Sequence, residues 1–97
     1  MRNYVIARYL VKDFDRFKAE FDEVAPQLPE RGFSRTWLDR NVDNPNEIVV
    51  MHECDDLDRA RAFLESDEYH ECIHRAGIVG EPSVTFLEEL IRAPAAV

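Results

Sequence analysis

Basic residues are scarce in this chain: 12 Lys and Arg stand against 20 Asp and Glu in 97 residues, a formal charge of −8 at pH 7. No basic run exists, and nucleic-acid affinity comes largely from Lys and Arg neutralising phosphates, so a nucleic-acid partner is not expected. Long hydrophobic runs are missing as well. The opening MRNYVIARYLVKDFD is broken by Arg8 and Lys12, and no small-residue cleavage site follows it. It reads as a strand and not as an export signal. No segment approaches the roughly 20 apolar residues of a membrane span. Cysteine is limited to Cys54 and Cys72, without C-x-x-C spacing. These are too few for a disulfide scaffold and read as buried thiols, so a cytoplasmic location is expected. Only three glycines are present, which excludes collagen-like and low-complexity classes. What remains is an ordinary globular composition with 45% hydrophobic residues, enough for one core. A single domain over 1–97 is expected, ordered from about 3 to 91. A chain of this size buries only roughly 60 to 70% of its unfolded surface, so a partner subunit would help it.

Along the chain, residues 3–12 (NYVIARYLVK) are apolar at both parities, the mark of a strand covered on both faces. Asp13 can cap a following helix whose Phe14, Phe17, Phe21, Val24 and Leu28 recur at steps of three and four. Pro26 and Pro29 should divide that helix near its end, and Gly32 should stop it. Residues 33–40 (FSRTWLDR) form a second strand, and NVDNPNE at 41–47 is a strong turn cluster. Residues 47–54 (EIVVMHEC) are the third strand. Asp55-Asp56 offer an N-cap to a helix carrying Leu57, Ala60, Phe63 and Leu64, and Ser66 starts another that ends before Gly77. EPSVTFLEEL at 81–90 closes the order as a fourth strand, and RAPAAV is a frayed tail.

This order is that of a ferredoxin-like α+β sandwich, a four-stranded antiparallel sheet with its helices on one face. With Val5, Ala7, Tyr9 and Val11 turned to the helices, Tyr4, Ile6 and Leu10 face away, and Val50 and Phe86 are expected to join them. Monomers rarely expose so broad an apolar face. The economical solution is a homodimer packing two helix-free sheet faces into an α/β barrel.

The carriers VIARYLVKDFDRFKAEFDE, RNVDNPNEIVVMHECDDLDRARAF, LESDEYHECIHRAG and VGEPSVTFLEEL span nearly the whole chain. On them the sequence resembles the dimeric α/β-barrel superfamily, and within it the antibiotic-biosynthesis monooxygenase branch. The resemblance implies a homodimer binding a small aromatic or polyketide-like molecule, as a cofactor-independent monooxygenase or cyclase. The alternative is a non-catalytic ligand-binding or assembly domain of the same fold, since fold alone does not choose an activity. Haem-degrading members carry a pocket Trp, a haem-ligating His and a first-strand Asn. Aligned on Ser66-Asp67, those positions fall at Phe63, Ile73 and Arg8, so haem is a poor fit and no cofactor is expected.

Three constellations could carry chemistry. His70-Glu71-Cys72-Ile73-His74 matches H-E-x-x-H, whose i and i+4 imidazoles can chelate zinc on one helix face. The extended motif then fails, because its third ligand position is Gly80. The helical wheel also puts His70, Glu71 and His74 roughly 110 to 150° from the apolar side, so an exposed pair and no metal are expected. Arg8 and His52 are the second candidate, expected by parity to point together into the dimer side of the sheet. There Arg8 would stabilise an anion and His52 would accept a proton. The competing reading is structural, with Arg8 paired to Glu53 or Glu88 and His52 to a backbone carbonyl. Finally, Tyr4, Trp37, Tyr69 and Phe86 could line a pocket for a flat ligand, although such aromatics are more often core.

Overall fold

Three short acceptor side chains start the three α-helices. Asp13 caps α1 (Phe14–Val24) by accepting from the Arg16 N–H at 3.2 Å, and Asp56 caps α2 (Leu57–Leu64) by accepting from the Arg59 N–H at 3.1 Å. Ser66 caps α3 (Asp67–Arg75), accepting from the Tyr69 N–H at 3.2 Å. The computed structural model describes residues 2–94. Its strands are β1 (Asn3–Val11), β2 (Phe33–Arg40), β3 (Glu47–Cys54) and β4 (Ile78–Glu88). All neighbours are antiparallel in the order β2-β3-β1-β4, so the fold is the expected ferredoxin-like α+β sandwich. The β2–β3 turn closes through Asx turns: Asn41 Oδ1 accepts from the Asp43 N–H at 2.8 Å and Asn44 Oδ1 from the Asn46 N–H at 3.0 Å.

Two boundaries differ from the sequence reading. The first helix does not run on to Leu28: it ends at Val24 and continues as a 3-10 helix (Ala25–Arg31), with Pro26 in its first turn. Gly32 follows at φ +95, and a Cβ there would collide with the Asp56 carbonyl oxygen, so only glycine permits that tight junction. The last strand starts at Ile78, not Glu81. Gly80, at φ +71, belongs to a bulge where Leu10 pairs with Val79 but Arg8 already pairs with Ser83. The expected tail at 92–97 lies partly outside the described residues. Within them, Arg92 donates to Glu89 at 2.8 Å and to the Tyr4 hydroxyl at 3.1 Å.

Alternation in β1 sets the two faces of the sheet. Val5, Ala7, Tyr9 and Val11 are buried beneath the helices, against Phe17, Ala60, Phe63, Tyr69, Cys72 and Ala76. The register then decides the neighbours: Val5 pairs with His52 on one side and Phe86 on the other, and Ala7 pairs with Val50. His52, Val50 and Phe86 therefore share the helix-facing side, which corrects the expectation that they face away. The helix-free side carries Tyr4, Ile6, Arg8 and Leu10, with Met51 opposite Ile6 and Trp37 opposite Met51. Among the described residues, no helix is long and apolar enough to cross a membrane.

Candidate functional site

The sheet and the helices do not close fully on each other. A cavity of about 70 Å³ remains between them, lined from the sheet by Tyr9, Phe33, Val50 and His52. Phe17, Glu20, Phe21 and Val24 line it from α1, and Tyr69, Cys72, Ile73 and Ala76 from α3, with Leu28, Phe63 and Leu64 completing the wall. Helix α1 supplies its apolar stripe because Phe14, Phe17 and Phe21 fall on one side, with Phe17 and Phe21 ring centroids 6.4 Å apart. A run of neighbouring rings borders the space. His52 lies 4.4 Å from Phe33, Phe33 6.0 Å from Phe63, and Phe63 5.8 Å from Tyr69.

Besides Glu20, two polar features interrupt this apolar lining. The first is His52, only 5% exposed, whose Nδ1 is 2.8 Å from Thr36 Oγ1 on the adjacent strand. Among the described residues, the ring's hydrogen bond is made through Nδ1. Burial pushes the imidazole pKa down to about 4, so the ring is neutral at pH 7. Either partner of this contact can donate; in the tautomer that donates Nδ1–H to Thr36 Oγ1, Nε2 is left as a base. The second feature is a hydroxyl pair: Tyr9 Oη and Tyr69 Oη are 2.7 Å apart. One hydroxyl proton lies between the two oxygens, and the other remains free to donate. Burial raises the pKa of both phenols, so they stay protonated.

The depressed pKa of His52 has a stability consequence. The unfolded chain binds this proton below about pH 6.5 but the folded chain only below about 4, so stability is expected to fall as pH drops through that window. A shift of this size corresponds to about 3 kcal/mol. Urea unfolding of the parent and of His52→Gln at pH 7 and pH 4.5 checks it. The stability difference between the two proteins should move by about 2 to 3 kcal/mol in favour of the variant at the lower pH. An unchanged difference contradicts a neutral buried ring.

At the outer edge of the cavity, Glu20 accepts from Arg75 at 2.8 Å, and Arg75 also approaches Cys72 Sγ at 3.3 Å. Burial raises the Cys72 thiol pKa, and burial pushes Cys54 up to about 11, so neither is an activated thiolate.

The residues singled out from sequence are divided by the sheet. His52 and Tyr69 line the cavity under the helices. Arg8 is on the opposite face, half-exposed and paired with Glu47 at 3.1 Å. Arg8 and His52 therefore do not form one site: in register, Arg8 meets Val49 whereas His52 meets Val5. His52 faces the helices, so the expected joint site of Arg8 and His52 on the dimer side does not form. Tyr4 and Trp37 also lie on the helix-free face, Trp37 with 42% of its surface exposed. Phe86 faces the helices but stands outside the cavity, under the Arg61 guanidinium at 4.2 Å. His70 and His74 are exposed on α3, and His70 Nδ1 is 2.8 Å from the Ser66 carbonyl oxygen. Among the described residues, no group of three or more His, Cys, Asp or Glu is arranged to hold a metal ion.

Tyr9 and Thr36 belong to the site without a sequence signal that marks them. Tyr9 sits at the parity assigned to the core, and the link from Thr36 to His52 exists only through the β2–β3 register.

The sequence model of the antibiotic biosynthesis monooxygenases matches residues 4–75. The chain belongs to this family. Several solved structures share its fold. A putative member from Bordetella bronchiseptica superposes with a TM-score of 0.77 at 19% identity, covering 93% of this chain and 98% of that one. SnoaB, a cofactor-independent oxygenase from Streptomyces nogalater, gives 0.77 at 18% identity over 97% and 98%. Rv0793 from Mycobacterium tuberculosis gives 0.71 at 22% identity over 97% and 100%. At these identities the likeness is one of fold. No curated protein matches the chain.

Proposed function

We propose that this member of the antibiotic biosynthesis monooxygenases is a cofactor-independent oxygenase that turns an electron-rich phenolic or enolisable aromatic compound into a quinone or ketone. The observation that carries this reading is the pairing, within one apolar cavity, of a neutral His52 and a tyrosine hydroxyl pair with a spare proton. Nε2 accepts a proton from the substrate, and the tyrosine hydroxyl donates to the oxygen on which negative charge then accumulates. The resulting carbanion passes one electron to dioxygen, the two radicals combine at carbon, and the peroxide loses water to leave a carbonyl. Atoms and electrons balance: one oxygen atom ends in the carbonyl, the other in water, and substrate carbon supplies all four electrons. The oxygenase activity stated for SnoaB supports this reaction class.

The subunit is proposed to act as a homodimer joined through the helix-free sheet face. Proteins of this family are typically dimeric, and the face carries Leu10, Trp37 and Met51 exposed around a half-buried Ile6. The pocket then lies on the outer side of each sheet, within one subunit.

Oxygen uptake by chelator-treated protein with a panel of hydroxylated aromatics tests the activity. One dioxygen consumed per carbonyl formed is expected. Ligands that bind without uptake would reduce the protein to a binding module, and the oxygenase reading would be abandoned.

A further inference from the structure

The cavity is as informative about its ligand as about its chemistry. Its volume is about 70 Å³, whereas an apolar cavity that takes benzene is about 150 Å³. Modest side-chain displacement at Phe21 or Ile73, both half-buried, can make room for one ring. Each further fused ring would need comparable space again, at the cost of separating α1 from α3. Charge narrows the choice as well. Among the described residues, the one ionised lining residue, Glu20, is neutralised by Arg75 at 2.8 Å, and no unpaired cation lines the space. A buried carboxylate or phosphate would thus lose its hydration without a counter-charge.

Resting on the oxygenase reading above, we infer that the site selects an uncharged, single-ring polyphenol, with one of its oxygens seated on the Tyr9–Tyr69 hydroxyl pair. That pair suits a neutral oxygen: one of its protons is shared across 2.7 Å and the second is unspent, so it can donate one hydrogen bond while also accepting one. The rings of Phe33 and Phe63 give the ligand apolar edges to pack against, as aromatic pairs prefer.

Equilibrium dialysis under argon at pH 7 with phloroglucinol, 4-hydroxybenzoate and anthrone separates the possibilities without requiring turnover. Phloroglucinol is expected to bind at least tenfold more tightly than the charged 4-hydroxybenzoate or the three-ring anthrone. Tyr9→Phe should weaken phloroglucinol about tenfold and leave toluene, which has no oxygen, within twofold. Tyr69→Phe repeats the test should the first variant fail to fold. Tighter binding of anthrone, equal binding of 4-hydroxybenzoate, or no binding of phloroglucinol overturns the inference. The two readings fail separately: oxygen uptake with anthrone alone would sink this ligand class and keep the oxygenase, whereas anaerobic phloroglucinol binding without aerobic uptake would do the reverse.

Discussion

Replacing His52 by glutamine is expected to lower turnover by about 100-fold to 10,000-fold while changing ligand affinity by no more than a few-fold. The reason is the division of labour inside the cavity. Affinity comes from apolar contact with the rings around the space and from the tyrosine hydroxyls, none of which the substitution removes. In the proposed reaction, proton abstraction depends on the His52 imidazole, which is neutral at pH 7. A glutamine amide approximates the size and polarity of the ring but cannot accept a proton there. Loss of kcat with an almost constant dissociation constant is the signature of an interaction made only in the transition state. Oxygen-electrode kinetics paired with anaerobic binding read both quantities on the same protein. A variant that turns over like its parent would remove His52 from the chemistry and leave it as a packing residue hydrogen-bonded to Thr36.

Placing a charge at the centre of the helix-free face, as in Ile6→Asp, should abolish subunit pairing. Ile6 lies between Met51 and Thr85 on the central strand, far from the rim where a carboxylate could reach water. An uncompensated charge buried in an interface costs about 3 to 5 kcal/mol, a weakening of association by two orders of magnitude or more. Sedimentation equilibrium at micromolar concentration should give twice 11.3 kDa for the parent and 11.3 kDa for the variant. A parent protein that sediments as a folded monomer would end the dimer proposal, and a variant that stays dimeric would move the contact to another surface.

Much of the architecture could be read directly from residue order. The three capping residues, the Phe14/Phe17/Phe21 stripe and the Asn-rich turn act through neighbours a few positions away, so local chemistry was sufficient to find them. The face assignment of β3 was not local. Ile48 and Val50 are as apolar as Val49 and Met51, and parity within the strand does not say which set meets the helices. Only the pairing of Val5 with His52 decides that, and pairing is a property of two segments 47 positions apart, as their numbers show. The candidate site inherited this gap. His52, expected as a proton acceptor, and Tyr69, expected as a pocket-lining aromatic, do share a cavity, whereas Arg8, Tyr4, Trp37 and Phe86 stand elsewhere.

The central position of β1 also bears on how such a protein could be re-engineered or could diverge. Its odd-numbered side chains lie beneath the helices, with Tyr9 among them lining the cavity, and its even-numbered ones lie on the helix-free face, so sliding this strand by one residue would exchange the two sets together. Changes of ligand preference therefore have a safer route through Phe17, Phe21 and Ile73. These line the cavity from α1 and α3 and lie on the other side of the sheet from its helix-free face. Libraries confined to those helical positions should yield new selectivities from folded proteins far more often than libraries that include β1.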